Sequence, residues 1–164
     1  MIDNLSKTAL YDLYLCSMNT LSLIISDILD DCVALSSYEG RRLTDGSGNS
    51  LYEVVHITTQ DTDFVTRHIL TAADMLFAHA RYVLRDMEVT GTAILFSYEP
   101  SSGIASLSNR EKLIREILSS HAMMLWLADK SPERSEAYKL MTENLLASFD
   151  RSAHRKVKPN LEDY

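Results

Sequence analysis

The sequence predicts an all-α fold, a helical bundle of about four long helices with a small β-hairpin insertion, and three observations carry that expectation. Over Asp61–Glu88 the residues Val65, Ile69, Ala72, Ala73, Leu76, Ala80, Val83, Leu84 and Met87 recur every three or four positions, the spacing of one helical face. Comparable stripes stand upstream at Leu10, Tyr14, Leu21, Ile25, Ile28, Cys32 and Leu35, and downstream at Leu113, Ile114, Ile117, Leu118, His121, Met124 and Leu125. Only Thr92–Tyr98 shifts to a period of two, with Ile94, Phe96 and Tyr98 alternating against Ala93, Leu95 and Ser97.

The 164 residues are expected to form a single helical domain over 1–154 followed by an extended C-terminal tail, 155–164. Hydrophobic residues make up 46% and charged residues 24%, which excludes wholesale disorder. A net charge of -7 argues against broad binding to nucleic acid, because neutralising phosphates needs a surplus of Lys and Arg. Cys16 and Cys32 fall sixteen residues apart on one predicted helix, about 24 Å along its axis and too far for a disulfide. They read as reduced core thiols. The acidic start MIDNLSKTALYDL is not a signal peptide, and no run of apolar residues is long enough to span a bilayer, so a soluble protein with no membrane contact is expected.

In chain order, the first helix is predicted over Ser6–Leu35, with Ser6 or Asp3 as its cap. Residues 36–49, with three of the five glycines, read as an exposed loop with a short hairpin around Asp45-Gly46. Ser50 and Glu53 form a capping-box pair ahead of a short helix over Leu51–Ile57. The central helix then starts at Asp61, runs about 39 Å at 1.5 Å per residue, and is ended by Thr90-Gly91. A hairpin over about 92–107 follows, its turn at Glu99–Gly103 and its returning strand at Ile104–Leu107. Ser108 and Glu111 make a second capping box, opening a helix to about Asp129 with Trp126 as a large anchor. Pro132 restarts a last helix, whose stripe is Ala137, Met141, Leu145, Ser148 and Phe149 and which frays through Ala153.

The chain carries no complete catalytic motif, and neither a catalytic residue, a metal site nor a cofactor is expected. His68 and His79 stand three helical turns apart, and Glu116 precedes His121 by five residues where a di-iron bundle needs three. There is no glycine-rich phosphate loop and no nucleophile elbow. The sharpest enzymatic signal is Arg115 followed six positions later by His121. That pair resembles the signature of HEPN ribonucleases, helical proteins whose dimers bring such pairs together for acid–base cleavage of RNA. The bland reading makes Arg115 a solvated charge and His121 a hydrogen-bonded core residue. Arg41 and Arg42 in the 36–49 loop, and Arg151, Arg155, Lys156 and Lys158 near the C-terminus, are cations able to meet an acidic partner or a phosphate.

The second half has a texture of its own: LIREILSSHAMMLWLADKSPERSEAY, then KLMTENLLASFDRSAHRKVKP, preceded by LYEVV, DFVTRHILTAADML and TAILFSY. This order resembles small virion proteins of tailed phages and prophages of Bacteroides-type bacteria, within the broader group of head-to-tail connector (neck, head-completion) proteins. The resemblance implies an all-α, non-enzymatic structural subunit. It implies a homo-oligomer, a ring that in that group is often twelvefold, seated between the portal protein and the next neck or tail protein. DNA in the channel would be touched at most transiently. It further implies a virion location after synthesis in the bacterial cytoplasm, with docking through loops or an extended tail. The contact candidates are then Arg41, Arg42, Arg155, Lys156, Lys158, Pro159 and Tyr164. Edge pairing by the 92–107 hairpin would be a third contact. Two alternatives stand beside it, a HEPN-like ribonuclease or toxin component using Arg115 and His121, and a cytoplasmic helical adaptor of bacterial regulation.

Overall fold

A computed structural model describes residues 18–98 and 110–153. The element order is β1 (Asn19–Ile24), α1 (Ile25–Arg42), α2 (Tyr52–Val55), α3 (Thr62–His79), β2 (Leu84–Val89), β3 (Ala93–Tyr98), α4 (Glu111–Leu127) and α5 (Pro132–Ala153). The all-α expectation is therefore overturned. Among the described residues five helices accompany a three-stranded antiparallel sheet of order β1–β3–β2.

The strands correct two predicted helices. The expected Ser6–Leu35 helix is a strand over Asn19–Ile24 that turns directly into α1, with Ile25 N–H donating to the Thr92 carbonyl at 2.9 Å; its residues 6–17 lie outside the described ones. Along β1, Leu21 and Leu23 are buried while Thr20, Ser22 and Ile24 are exposed, the alternation of a half-buried strand. The predicted central helix stops at His79, and its last stretch is β2. Leu84 and Met87, three apart, had mimicked a helical period. A bulge between Leu84 and Asp86 puts both on one face of the sheet, opposite Tyr98 and Phe96 respectively.

The segment expected to form one hairpin with a returning strand is instead the central strand, β3. It pairs with β1 from Asn19↔Tyr98 to Ile24↔Ala93 and with β2 through Met87↔Phe96 and Val89↔Ile94. Thr90-Gly91, expected to end a helix, forms the β2–β3 turn: Thr90 N–H donates to the Ala93 carbonyl at 2.9 Å and Ala93 N–H to Thr90 Oγ1 at 3.0 Å. The expected return at 104–107 and the cap Ser108 lie outside the described residues.

The inner face of the sheet presents Leu21, Leu23, Leu84, Ile94, Phe96 and Tyr98 to a helical layer, and one hydrophobic core lies between them. At its centre is α4 rather than α3. It packs against α1, α3 and α5, and Ile114, Ile117, Leu118, Ala122, Met123 and Leu127 along it are fully enclosed. On α5 the buried face is Tyr138, Thr142, Phe149 and Ala153, so Met141, expected inside, is exposed. Cys32 is buried and its Sγ lies 3.9 Å from the Ser119 carbonyl; burial, reinforced by Asp31, pushes the thiol up to about 12. Such a thiol is chemically inert at neutral pH. Among the described residues no helix is long and apolar enough to cross a membrane.

Residues 36–42, expected in a loop, extend α1 by nearly two turns. The loop proper is short: Thr44 bridges Ser50, Gly48 N–H donates to the Asp45 carbonyl, and Asp45 Oδ1 accepts the N–H groups of Ser47 and Asn49, both at 2.8 Å. Gly48 adopts φ 85°, which favours glycine. Gly40 matters for a different reason. A Cβ built there would meet Tyr52 Cα at 3.0 Å, so the absent side chain lets α2 lie against α1. Gly40→Val is expected to lower stability by about 1–3 kcal/mol through overpacking against backbone, read as a lower urea midpoint at unchanged slope.

Candidate functional site

Three groups of residues are assembled by this packing, and the pair marked in the sequence, Arg115 and His121, is divided between two of them. On α4, Arg115 and His121 are six residues apart, which at about 100° per residue separates them by about 120° around the helix. Arg115 turns toward α1. Its Nη2 donates to Asp31 Oδ2 at 2.8 Å and its Nε to the same oxygen at 3.3 Å, while Nη1 lies 4.0 Å from an Asp27 carboxylate oxygen. The hydrogen bond to Asp31 raises the Arg115 pKa further above its ordinary value. His121 points instead toward α3, where burial and the neighbouring His68 hold its pKa below that of a free imidazole. The two are not brought together within one chain.

Beside Arg115 lies a groove of about 760 Å³ between α1, α4 and α5. Ala34, Leu35 and Met141 supply its apolar lining, and Asp31, Glu111 and Glu116 its carboxylates. With Asp27, four carboxylates accompany the cations Lys112 and Arg115 around this groove, which is therefore acidic. Ser120 also lines it, almost fully enclosed and with no hydrogen-bond partner for its Oγ among the described residues. An enclosed hydroxyl without a partner carries a desolvation cost of about 1–3 kcal/mol.

A second group joins the end of α3 to the end of α5. Asp150 is held by His79, whose Nε2 lies 3.1 Å from both carboxylate oxygens, and by Tyr82, whose hydroxyl donates to Oδ1 at 2.5 Å. Burial, then the Asp150 contact, shifts the Tyr82 phenol upward. Next to it, Arg110, Arg151, Ser148 and Ser152 line a smaller cavity of about 500 Å³.

The third group is aromatic. Trp126 Nε1 donates to the Val55 carbonyl at 2.7 Å, Lys130 Nζ sits 3.6 Å from the centroid of the indole ring, and Phe64 meets both His68 and Trp126 edge-on. His68 Nε2 is enclosed and has no hydrogen-bond partner among the described residues. Burial, with Lys130 adding to it and Asp129 opposing it, lowers the His68 pKa. His68 and His121 therefore resist protonation in the folded protein while the unfolded chain protonates them near pH 6.5. Stability is expected to be fully present above that value and to fall as pH drops below it toward the lowered folded values. Urea midpoints measured between pH 7.5 and pH 5 check this. The His68→Gln, His121→Gln double variant is expected to flatten the slope.

Of the other residues marked in the sequence, Arg41 and Arg42 occupy the exposed last turn of α1 instead of a loop, and Arg42 Nη1 donates to the Tyr38 hydroxyl at 2.8 Å. Arg155, Lys156, Lys158, Pro159 and Tyr164 lie outside the described residues. Among the described residues no three His, Cys, Asp or Glu side chains come close enough to hold a metal ion. Sequence reasoning missed Tyr82, Asp150 and Arg110. His79 and Asp150 are 71 positions apart, and no local spacing signals a contact created only when two helix ends meet. Compared with known proteins, the chain matches no family model, no curated protein and no solved structure at a significant level.

Proposed function

We propose that this chain is a non-enzymatic assembly subunit of the head-to-tail connector kind that its sequence resembles, which associates with copies of itself into a ring between a portal protein and a tail component. The observation that supports this reading most is the groove between α1, α4 and α5. Its apolar lining of Ala34, Leu35 and Met141 with flanking Asp31, Glu111 and Glu116 suits a segment that is apolar and basic. The chain's own C-terminal stretch, with Arg155, Lys156 and Lys158 around Val157, has that composition. The described end of α5, which precedes that stretch in sequence, includes Ser152, whose carbonyl is held by Arg110, the residue that precedes Glu111 of the groove. A tail inserted into the groove of the next copy is a heterologous contact, and contacts of that type close into rings when the rotation permits. The α/β architecture departs from the all-α subunit that the resemblance implies, so the support for this reading lies in the surface and not in the fold class.

The test is the absolute mass of the full chain across concentration, alone and with a candidate portal protein. A ring, or a monomer that becomes one only on the portal, is expected. Met141→Glu, at an exposed position, is expected to weaken that association at least about tenfold by placing a charge on the apolar lining. A stable dimer indifferent to the portal would overturn the proposal.

A further inference from the structure

The cavity at the junction of α4 and α5 has a charge balance that the assembly reading does not use. Arg110, immediately before α4, and Arg151, in the last turn of α5, line it together with Ser148 and Ser152. Among the described residues neither guanidinium has a carboxylate partner. Arg110 donates through Nη2 to the Ser152 carbonyl and stacks over the Phe149 ring at 6.0 Å, while its Nη1 is enclosed and unpartnered. Arg151 donates through Nη2 to Ser148 Oγ at 3.1 Å. The bland account is that both cations serve the C-terminal end of α5, where exposed carbonyls carry about half a negative charge. That offsets only part of two positive charges, and it leaves Arg110 Nη1 without an acceptor.

Asp150, next to Arg151 in sequence, does not remove the surplus. Asp150 is occupied by His79 and by the Tyr82 hydroxyl, and its oxygens make no ion pair with either arginine. Both serine hydroxyls donate to backbone, Ser148 to the Asn144 carbonyl and Ser152 to that of Phe149, so the donors left for a ligand belong to the guanidiniums. Two planar forks, converging on one cavity without a carboxylate, match a tetrahedral oxyanion of charge about -1.5 to -2 better than a singly charged carboxylate. A cavity of about 500 Å³ leaves room for an organic group attached to that anion. A nucleic-acid backbone fits poorly, because the chain carries a net charge of -7 and the site offers a pair of cations in place of a stripe.

We propose that the Arg110–Arg151 cavity binds the phosphate group of a small phosphate monoester. The ligand's oxygens bridge the edge of the Arg110 guanidinium that lines the cavity and the Arg151 guanidinium. The cavity shares none of its four lining residues with the groove.

The experiment is calorimetric titration of the full chain at constant ionic strength with inorganic phosphate, with adenosine monophosphate, and with a short single-stranded oligonucleotide. Saturable binding at a ratio of one to one by either small probe is expected. Equal affinity for the two makes the phosphate alone the ligand, and tighter binding of the nucleotide makes the ester the ligand. Arg151→Gln is expected to weaken binding about tenfold or more, since one charge-assisted fork is lost. Because Arg151 is exposed and holds only Ser148, its melting temperature should match the parent protein. Arg110→Lys retains the charge but not the fork, and it is expected to weaken binding as well. No saturable binding of either small probe, affinity unchanged in Arg151→Gln, or tighter binding of the oligonucleotide than of both small probes would each overturn the proposal.

Discussion

Arg134→Ala is expected to destabilise the protein by about 3–5 kcal/mol, the cost of leaving a buried charge without its partner. Glu39, on the last turns of α1, is only 2% exposed, and Arg134, on the first turn of α5, grips it with both arms: Nε donates to Oε2 at 2.8 Å and Nη2 to Oε1. Tyr138 adds its hydroxyl to Oε1 at 3.2 Å. The carboxylate thus accepts three hydrogen bonds from α5, the helix that follows it by almost a hundred residues. Removing the guanidinium leaves an almost fully enclosed carboxylate with the Tyr138 hydroxyl as its remaining donor. At about 2–4 °C per kcal/mol for a chain of this size, the melting temperature should fall by roughly 6–20 °C. Glu39→Met with Arg134→Met removes both charges together and is expected to be far milder than either single change, because desolvation of the pair is relieved along with its attraction. A double variant as unstable as Arg134→Ala would mean that the hydrogen bonds of the clamp, and not the stranded charge, carry the contribution.

That clamp could not be seen in the sequence, and the reason is instructive about what could. The helices α3, α4 and α5 were legible because each buries a stripe against a neighbour, and burial leaves a period in the residues themselves: Val65, Ile69, Ala72, Ala73 and Leu76 on α3, or Ile114, Ile117 and Leu118 on α4. The Pro132 restart was equally local. Strands were misread where a local irregularity imitated the helical period. Leu84 and Met87 share a face only because of the bulge at Arg85, and Leu21 was absorbed into the stripe of the helix that follows β1 without a loop. One strand hidden in each of two predicted helices was enough to turn an all-α expectation into a mixed fold. Polar contacts were legible least of all. Glu39 with Arg134, Arg115 with Asp31, and His79 with Asp150 each join positions more than seventy apart, and a charged residue on a helix shows nothing in its own neighbourhood of whether it meets water or a partner. Arg115 and His121 were marked as a pair, but the structure pairs Arg115 with Asp31 and leaves His121 beside His68.

Trp126→Ala is expected to be comparable to the loss of Arg134, about 3–5 kcal/mol, through a different cause. The indole is 4% exposed and fastens α2 to α4: its N–H donates to the Val55 carbonyl at 2.7 Å, at the very end of a four-residue helix that is too short to hold its conformation alone. The Lys130 ammonium lies 3.6 Å from the ring centroid and Phe64 packs edge-on at 6.2 Å, so truncation opens a cavity and releases three neighbours at once. Trp126→Phe separates the two contributions. It keeps most of the packing and loses the N–H donor, and should cost about 1–3 kcal/mol, the penalty of a buried carbonyl left unpaired. Because this is the chain's single tryptophan, its emission in the parent protein reports the site directly. Gly40→Val, which presses α2 away from α1 through Tyr52, should shift that emission to longer wavelength before global unfolding, since Tyr52 and Val55 are three residues apart on the same short helix. Emission unchanged until the global transition would show that Trp126 holds α2 in place without help from its fit against α1.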